Sequence, residues 1–162
     1  MTILSLNREP IGTRLVVADT TASIELPTTP TAFIWGIVTG ADYQYNAATG
    51  VFTADNEIFF NSTAQWHVNR MSGNSEFYAD AEFYINGVWV RGTNSGRRAQ
   101  IKSTEGTKTI AFPFNGRFAA GTILRFVAWA SDTGTNLVTD TINGSTFPAS
   151  RLTINTIRGH LI

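Results

Sequence analysis

The sequence predicts an all-β chain folded as a two-sheet antiparallel sandwich, and three observations carry that expectation. From Ile58 the even positions run Ile58, Phe60, Ser62, Ala64, Trp66, Val68, while after Phe59 the odd ones run Asn61, Thr63, Gln65, His67, Asn69. A period of two is that of a strand with one side in a core and the other in polar surroundings. The same period returns from Glu76: Phe77, Ala79, Ala81, Phe83 and Ile85 face one way, and Glu76, Tyr78, Asp80, Glu82 and Tyr84 the other. Charged residues make up only 15% of the chain while Thr, Asn, Ser and Gly abound, which suits a β-rich protein with a polar but little-charged surface. At 162 residues the chain is one domain by size, long enough to keep a core without staples.

Taken in order, Met1 to Arg8 lacks a basic start followed by an apolar run of secretory length, and no later window is apolar enough to span a bilayer. If the protein acts outside a cell, release by lysis or a dedicated system is expected. Leu15 to Ala18 and Ser23 to Leu26 read as short strands, closed by Pro27-Thr28-Thr29-Pro30. Residues 1–30 are therefore an edge hairpin or an arm that docks on a neighbouring protein, and 31–162 the sandwich itself. Ala32 to Val38 is apolar at nearly every position, as in a strand buried on both sides. Asn46 to Gly50 is a turn between strands, with Gly50 free to take a positive φ. Asn86-Gly87 is a two-residue hairpin turn into Val88-Trp89-Val90.

Arg91 to Lys102 holds the one basic cluster, Arg91, Arg97, Arg98 and Lys102 around a Gly- and Ser-containing loop. It is either a solvated loop or a site for an acidic protein surface, a phosphate or an acidic sugar. Thr107 to Phe114 and Gly121 to Ala130 are the next strands. In the second, Leu124, Phe126, Ala128 and Ala130 oppose Ile123, Val127 and Trp129, which share a side with Arg125. A sandwich buries one side of each strand, so the other apolar side is expected to press on an identical subunit, or on loops or the N-terminal segment of the same chain. A short strand at Leu137 to Thr141, a turn at Asn143-Gly144 and a last strand through Leu152, Ile154 and Thr156 to near Arg158 complete the chain.

Several motifs carry a resemblance. Tyr45, then Thr49-Gly50-x-Phe52-Thr53, then the aromatic strand Ile58 to Phe60, resembles the central signature of the C1q/TNF-like jelly-roll family. Ile85-Asn86-Gly87, Ala120 to Leu124 and Thr146-Phe147 follow in that family's order, so the resemblance spans Thr31 to Arg158. Asp55, Asn56 and Glu57 replace the usual Pro and Gly, Thr122 stands where an Asp would follow the Gly, and Pro148 and Ala149 follow Phe147. The resemblance implies a jelly roll assembled as a homotrimer, with Trp35, Phe112, Phe114, Phe126 and Trp129 as the seam.

Chemistry is sparse. With no cysteine there is no disulfide, thiolate nucleophile or Cys metal site. Twelve Lys and Arg balance twelve Asp and Glu, so no global field draws nucleic acid or an anionic membrane, and no aromatic residue interrupts the basic cluster to stack a base. His67 and His160 are the only histidines, without the spacing of a metal helix, nucleophile elbow or phosphate loop. Asp55-Asn56-Glu57 is ordinary turn chemistry, though it could supply oxygens to calcium. No enzyme, cofactor or metal site is expected. The expectation is a structural virion protein: a homotrimeric decoration or cement protein on a bacteriophage surface, held to the major capsid protein or another virion protein. The alternative is a receptor- or carbohydrate-binding tip of a tail fibre, spike or lectin, contacting a partner or surface glycan through Tyr78, Tyr84, Trp89, Arg91, Arg97 and Arg98.

Overall fold

The computed structural model describes residues 16–20, 24–36, 42–92 and 96–158. Its strands in chain order are β1 (Val16–Thr20), β2 (Ile24–Glu25), β3 (Thr31–Ala32), β4 (Tyr43–Asn46), β5 (Val51–Ala54), β6 (Ile58–Arg70), β7 (Asn74–Ile85) and β8 (Val88–Arg91). After β9 (Arg97–Lys102) comes a single 3₁₀ turn, Ser103–Glu105, then β10 (Lys108–Phe118), β11 (Ile123–Ala130), β12 (Thr135–Leu137), β13 (Asp140–Ile142), β14 (Ser145–Phe147) and β15 (Ser150–Arg158).

Two antiparallel sheets form the sandwich. In the first, β6 pairs with β10 along one edge and with β15 and then β12 along the other; β1 lies outside β15 and β2 outside β12. In the second, β11 pairs with β7 on one side and with β5 and β3 on the other, β4 extends β5, and β8 and β9 share the far side of β7. The chain crosses between sheets from β5 to β6 and back from β6 to β7, so the long strands lie face to face. A small hairpin of β13 and β14 stands apart.

The two predicted hairpins form as read. Gly50 closes the β4–β5 turn at φ +70°, and Asn86 and Gly87, at φ 50° and 85°, have the paired positive φ values that match the twist of two strands joined by two residues. The alternation in β6 and β7 sends Ile58, Phe60, Ala64, Trp66, Phe77, Ala79 and Ala81 inward. Aromatic rings dominate the core. Phe126 is its hub, with ring centroids 5.8 Å from Phe114, 5.9 Å from Phe52 and 6.2 Å from Trp35.

That core corrects several expectations. Trp35 and Phe126 are 0% exposed and Phe112 4%, so these three belong to the subunit's own interior and are out of reach of a neighbouring subunit. Phe114 is half-buried at the core's rim, and Trp129 lies on the outward side of the second sheet. The stretch expected as one strand, Ala32 to Val38, is a strand only at Thr31–Ala32, with the Phe33 amide donating once more to the Phe126 carbonyl at 2.8 Å; Phe33 to Gly36 is irregular, folded inward by Phe33 and Trp35, and residues 37–41 lie outside the described residues. The strand expected at Leu137 to Thr141 is split between β12, in the first sheet, and β13, in the small hairpin. Of residues 1–30, β1 and β2 join the first sheet through separate partners and not as a hairpin with each other, while residues 1–15 and 21–23 lie outside the described residues.

Candidate functional site

The outward side of the second sheet is where the singled-out residues meet. On β7 the residues that alternation turns away from the core are not all exposed: Asp80 and Glu82 are buried. Their charges are matched across the strands. Glu82 stands opposite Arg91 of β8 and Arg125 of β11, and accepts a hydrogen bond from Arg125 Nε at 2.9 Å, with Nη2 at 2.7 Å. Asp80 has Arg91 Nε at 3.4 Å and accepts a bond from the Ala81 amide at 2.8 Å. Carboxylates at such depth persist because each gains a cation and further donors.

Aromatic rings knit the charged groups together. Tyr78 stacks on Trp129 with centroids 5.0 Å apart and planes 13° from parallel. The Arg91 guanidinium lies 5.0 Å from the Trp129 ring and that of Arg98 5.9 Å from Tyr78, so each ring of the stacked pair meets a cation. Beside it, Arg125 lies 4.1 Å from the Trp89 ring, whose neighbour Tyr84 is 5.2 Å away. Glu76 accepts hydrogen bonds from Arg98 and from the Tyr78 hydroxyl. The Arg98 bond, and then that of Tyr78, lowers the Glu76 carboxyl below its usual range, and the same Glu76 bond raises the Tyr78 phenol. On the outward side of β11, expected to press on an identical subunit or on segments of the same chain, Trp129 is packed by Tyr78 and Arg91, and Arg125 is paired with Glu82.

Two open grooves flank this ridge. One, of about 490 Å³, lies among Tyr78, Asp80, Arg91, Arg97, Arg98 and Trp129. The other, of about 760 Å³, runs from Trp89 across Arg125 to the β4–β5 hairpin, where Gln44, Asn46, Thr49 and Thr53 line it. Of the predicted contact residues, Tyr78, Arg91, Arg97 and Arg98 share the first groove, Trp89 walls the second and Tyr84 packs beside it. Thr93, Asn94 and Ser95 of the basic loop lie outside the described residues. Sequence reasoning did not single out Arg125 or the β4–β5 polar residues as parts of a site. Alternation within β5 places Val51 and Thr53 on one side, but only β11 brings that side next to Trp89.

Elsewhere the polar groups serve the fold. Glu57 pairs with Arg117, Asp55 accepts from Gln44 Nε2 at 3.0 Å, and His67 is buried with Nδ1 3.1 Å from the Thr109 hydroxyl. His160 lies outside the described residues, and among the described residues no group of three His, Asp or Glu is placed to hold a metal ion.

The crystal structure of murine APRIL at pH 5.0 matches over 88% of this chain and 99% of its own, with a TM-score of 0.50 and 9% identity. The pH 8.5 structure of murine APRIL matches over 87% and 97%, at 0.51 and 8%. The fold is a C1q/TNF-like jelly roll. The globular domain of zebrafish complement 1qA is also similar, over 92% of this chain and 98% of that one, with a TM-score of 0.49 and 10% identity. No family model matches the chain, and no curated protein does. At these identities the likeness to the solved jelly rolls establishes architecture alone.

Proposed function

We propose that this jelly roll is a non-enzymatic structural protein that self-associates as a homotrimer and decorates the outer surface of a phage particle. One observation carries the self-association: an uncovered apolar strip on the inward side of the β7–β8 hairpin. Ile85 is 50% exposed, Val88 58% and Val90 42%. Val90 stands opposite Phe83, whose ring meets Phe114 and Phe118, so the strip begins where the subunit core ends. Exposed contiguous apolar surface on an otherwise polar domain marks a contact with another protein. On this reading the seam of the trimer lies at Ile85, Val88, Val90 and Phe114, and not at the interior rings.

Decoration of a virion is the reading of that trimer that fits its surface, polar but little charged, and the sparse catalytic chemistry among the described residues. The partner is then the major capsid protein or another virion protein. Light scattering on the purified chain, together with mass spectrometry of purified particles, tests both parts. Trimer mass and presence in the particle are the expected results; a monomer at high concentration, or a particle without the protein, overturns the reading. The aromatic and arginine face favours a second reading, a receptor- or carbohydrate-binding tip, because it offers preformed grooves on a rigid sheet.

A further inference from the structure

We propose that the groove between Trp89 and the β4–β5 hairpin binds a neutral saccharide. The inference rests on the binding reading of the outer face and not on self-association. The dimensions of the groove come first: about 760 Å³ and open to solvent, it falls within the roughly 300–1,000 Å³ of small-molecule sites.

Charge comes second. The floor holds Arg125, whose positive charge is cancelled by buried Glu82 through Nε and Nη2. A guanidinium carries five N–H groups, so Arg125 keeps donors beyond the two atoms that hold Glu82. A site with cancelled charge and surplus donors suits hydroxyl oxygens better than a carboxylate, which would be desolvated beside Glu82 without a cation of its own. The rim is uncharged as well. Gln44 uses Nε2 on Asp55 and Asn46 uses Oδ1 on the Ala48 amide, leaving Gln44 Oε1 as acceptor and Asn46 Nδ2 as donor beside the hydroxyls of Thr49 and Thr53. Amides and hydroxyls that both give and accept are what a polyhydroxy ligand requires.

Trp89 supplies the third part, an apolar wall held in place by Arg125 over its ring and Tyr84 at its side, so little side-chain freedom is lost on binding. The neighbouring groove differs: Asp80 faces Arg91 and Glu76 holds Arg98, while Arg97 adds a third guanidinium. The apolar strip does not interfere, because Val88 and Val90 point to the opposite side of β8 from Trp89.

The test is an array of neutral glycans (hexose and N-acetylhexosamine oligomers) beside sialylated, uronic and sulfated ones, probed with the intact protein, Trp89→Ala and Thr49→Arg. Thr49 is exposed in a turn, so Thr49→Arg fills the groove without touching the core. Binding to neutral glycans that weakens about tenfold or more in both variants, with the melting temperature of Thr49→Arg unchanged, is the expected result. Binding confined to acidic glycans and lost in Arg98→Ala overturns the saccharide assignment but keeps the face as a binding surface. Binding that survives Thr49→Arg moves the ligand out of this groove, and no binding to any glycan removes the inference together with the carbohydrate half of the reading beneath it, but not the receptor half.

Discussion

Gly50 holds φ at +70°, and a Cβ there would stand 2.6 Å from the Phe33 carbonyl oxygen, a backbone atom that cannot swing aside. The left-handed conformation alone costs an L-residue about 1–2 kcal/mol, so Gly50→Ala is expected to lower stability by more than that in urea unfolding. A loss below the conformational cost would mean that the Phe33 segment yields. The exposed triad of Glu76, Tyr78 and Arg98 makes a different prediction. The Glu76 carboxyl is held below its unfolded range, so its contribution is present above that range and is lost as pH falls through the folded value. Glu76→Gln should therefore lower the melting temperature slightly near neutrality, where an exposed pair contributes weakly, and converge with wild type as pH falls through the folded value. Parallel wild-type and variant curves in acid would show that the triad is not coupled to folding.

Among the elements, β8 works on both of its sides. Its odd positions, Trp89 and Arg91, cross-link the outer face, while Val88 and Val90 leave apolar surface in water. An edge strand with such a side needs a cover, by self-association or by another chain. Val88→Asp combined with Val90→Asp should convert trimers to well-folded monomers in light scattering, because each carboxylate would have to be desolvated in the seam. Trimers that persist in the double variant would place the seam elsewhere, for instance on the outward side of the first sheet.

For the whole molecule, the aromatic hub decides stability. Phe126 touches rings contributed by both sheets, so Phe126→Ala opens a cavity that the two layers cannot both close, at a cost of about 3–5 kcal/mol. The expected readout is a large drop in melting temperature, and insoluble chain in place of soluble monomer for Phe126→Asp. A soluble, well-folded Phe126→Asp monomer would return this residue to the subunit seam. The sandwich therefore separates two kinds of aromatic residue that composition cannot tell apart: those that hold one subunit together, and those left at its rim for another.

The periodicity of β6 and β7, the Asn86-Gly87 turn and the Gly50 hairpin were legible in the sequence because each depends on neighbours a few residues away. The all-β class and the direction of most core side chains follow from the same local rule. What tertiary structure alone decided was which apolar positions face another layer of the same chain. Trp35 and Phe126 look like spare hydrophobic surface in a list of strands and become interior once β6, β7 and β11 close over them. The same holds for Glu82 and Asp80: alternation puts them on a polar side, and only pairing with β8 and β11 supplies the arginines and rings that bury them. Contact between residues 43 positions apart, as in Glu82 and Arg125, leaves no trace in local spacing, since strand order and register set it and the chain's own period does not.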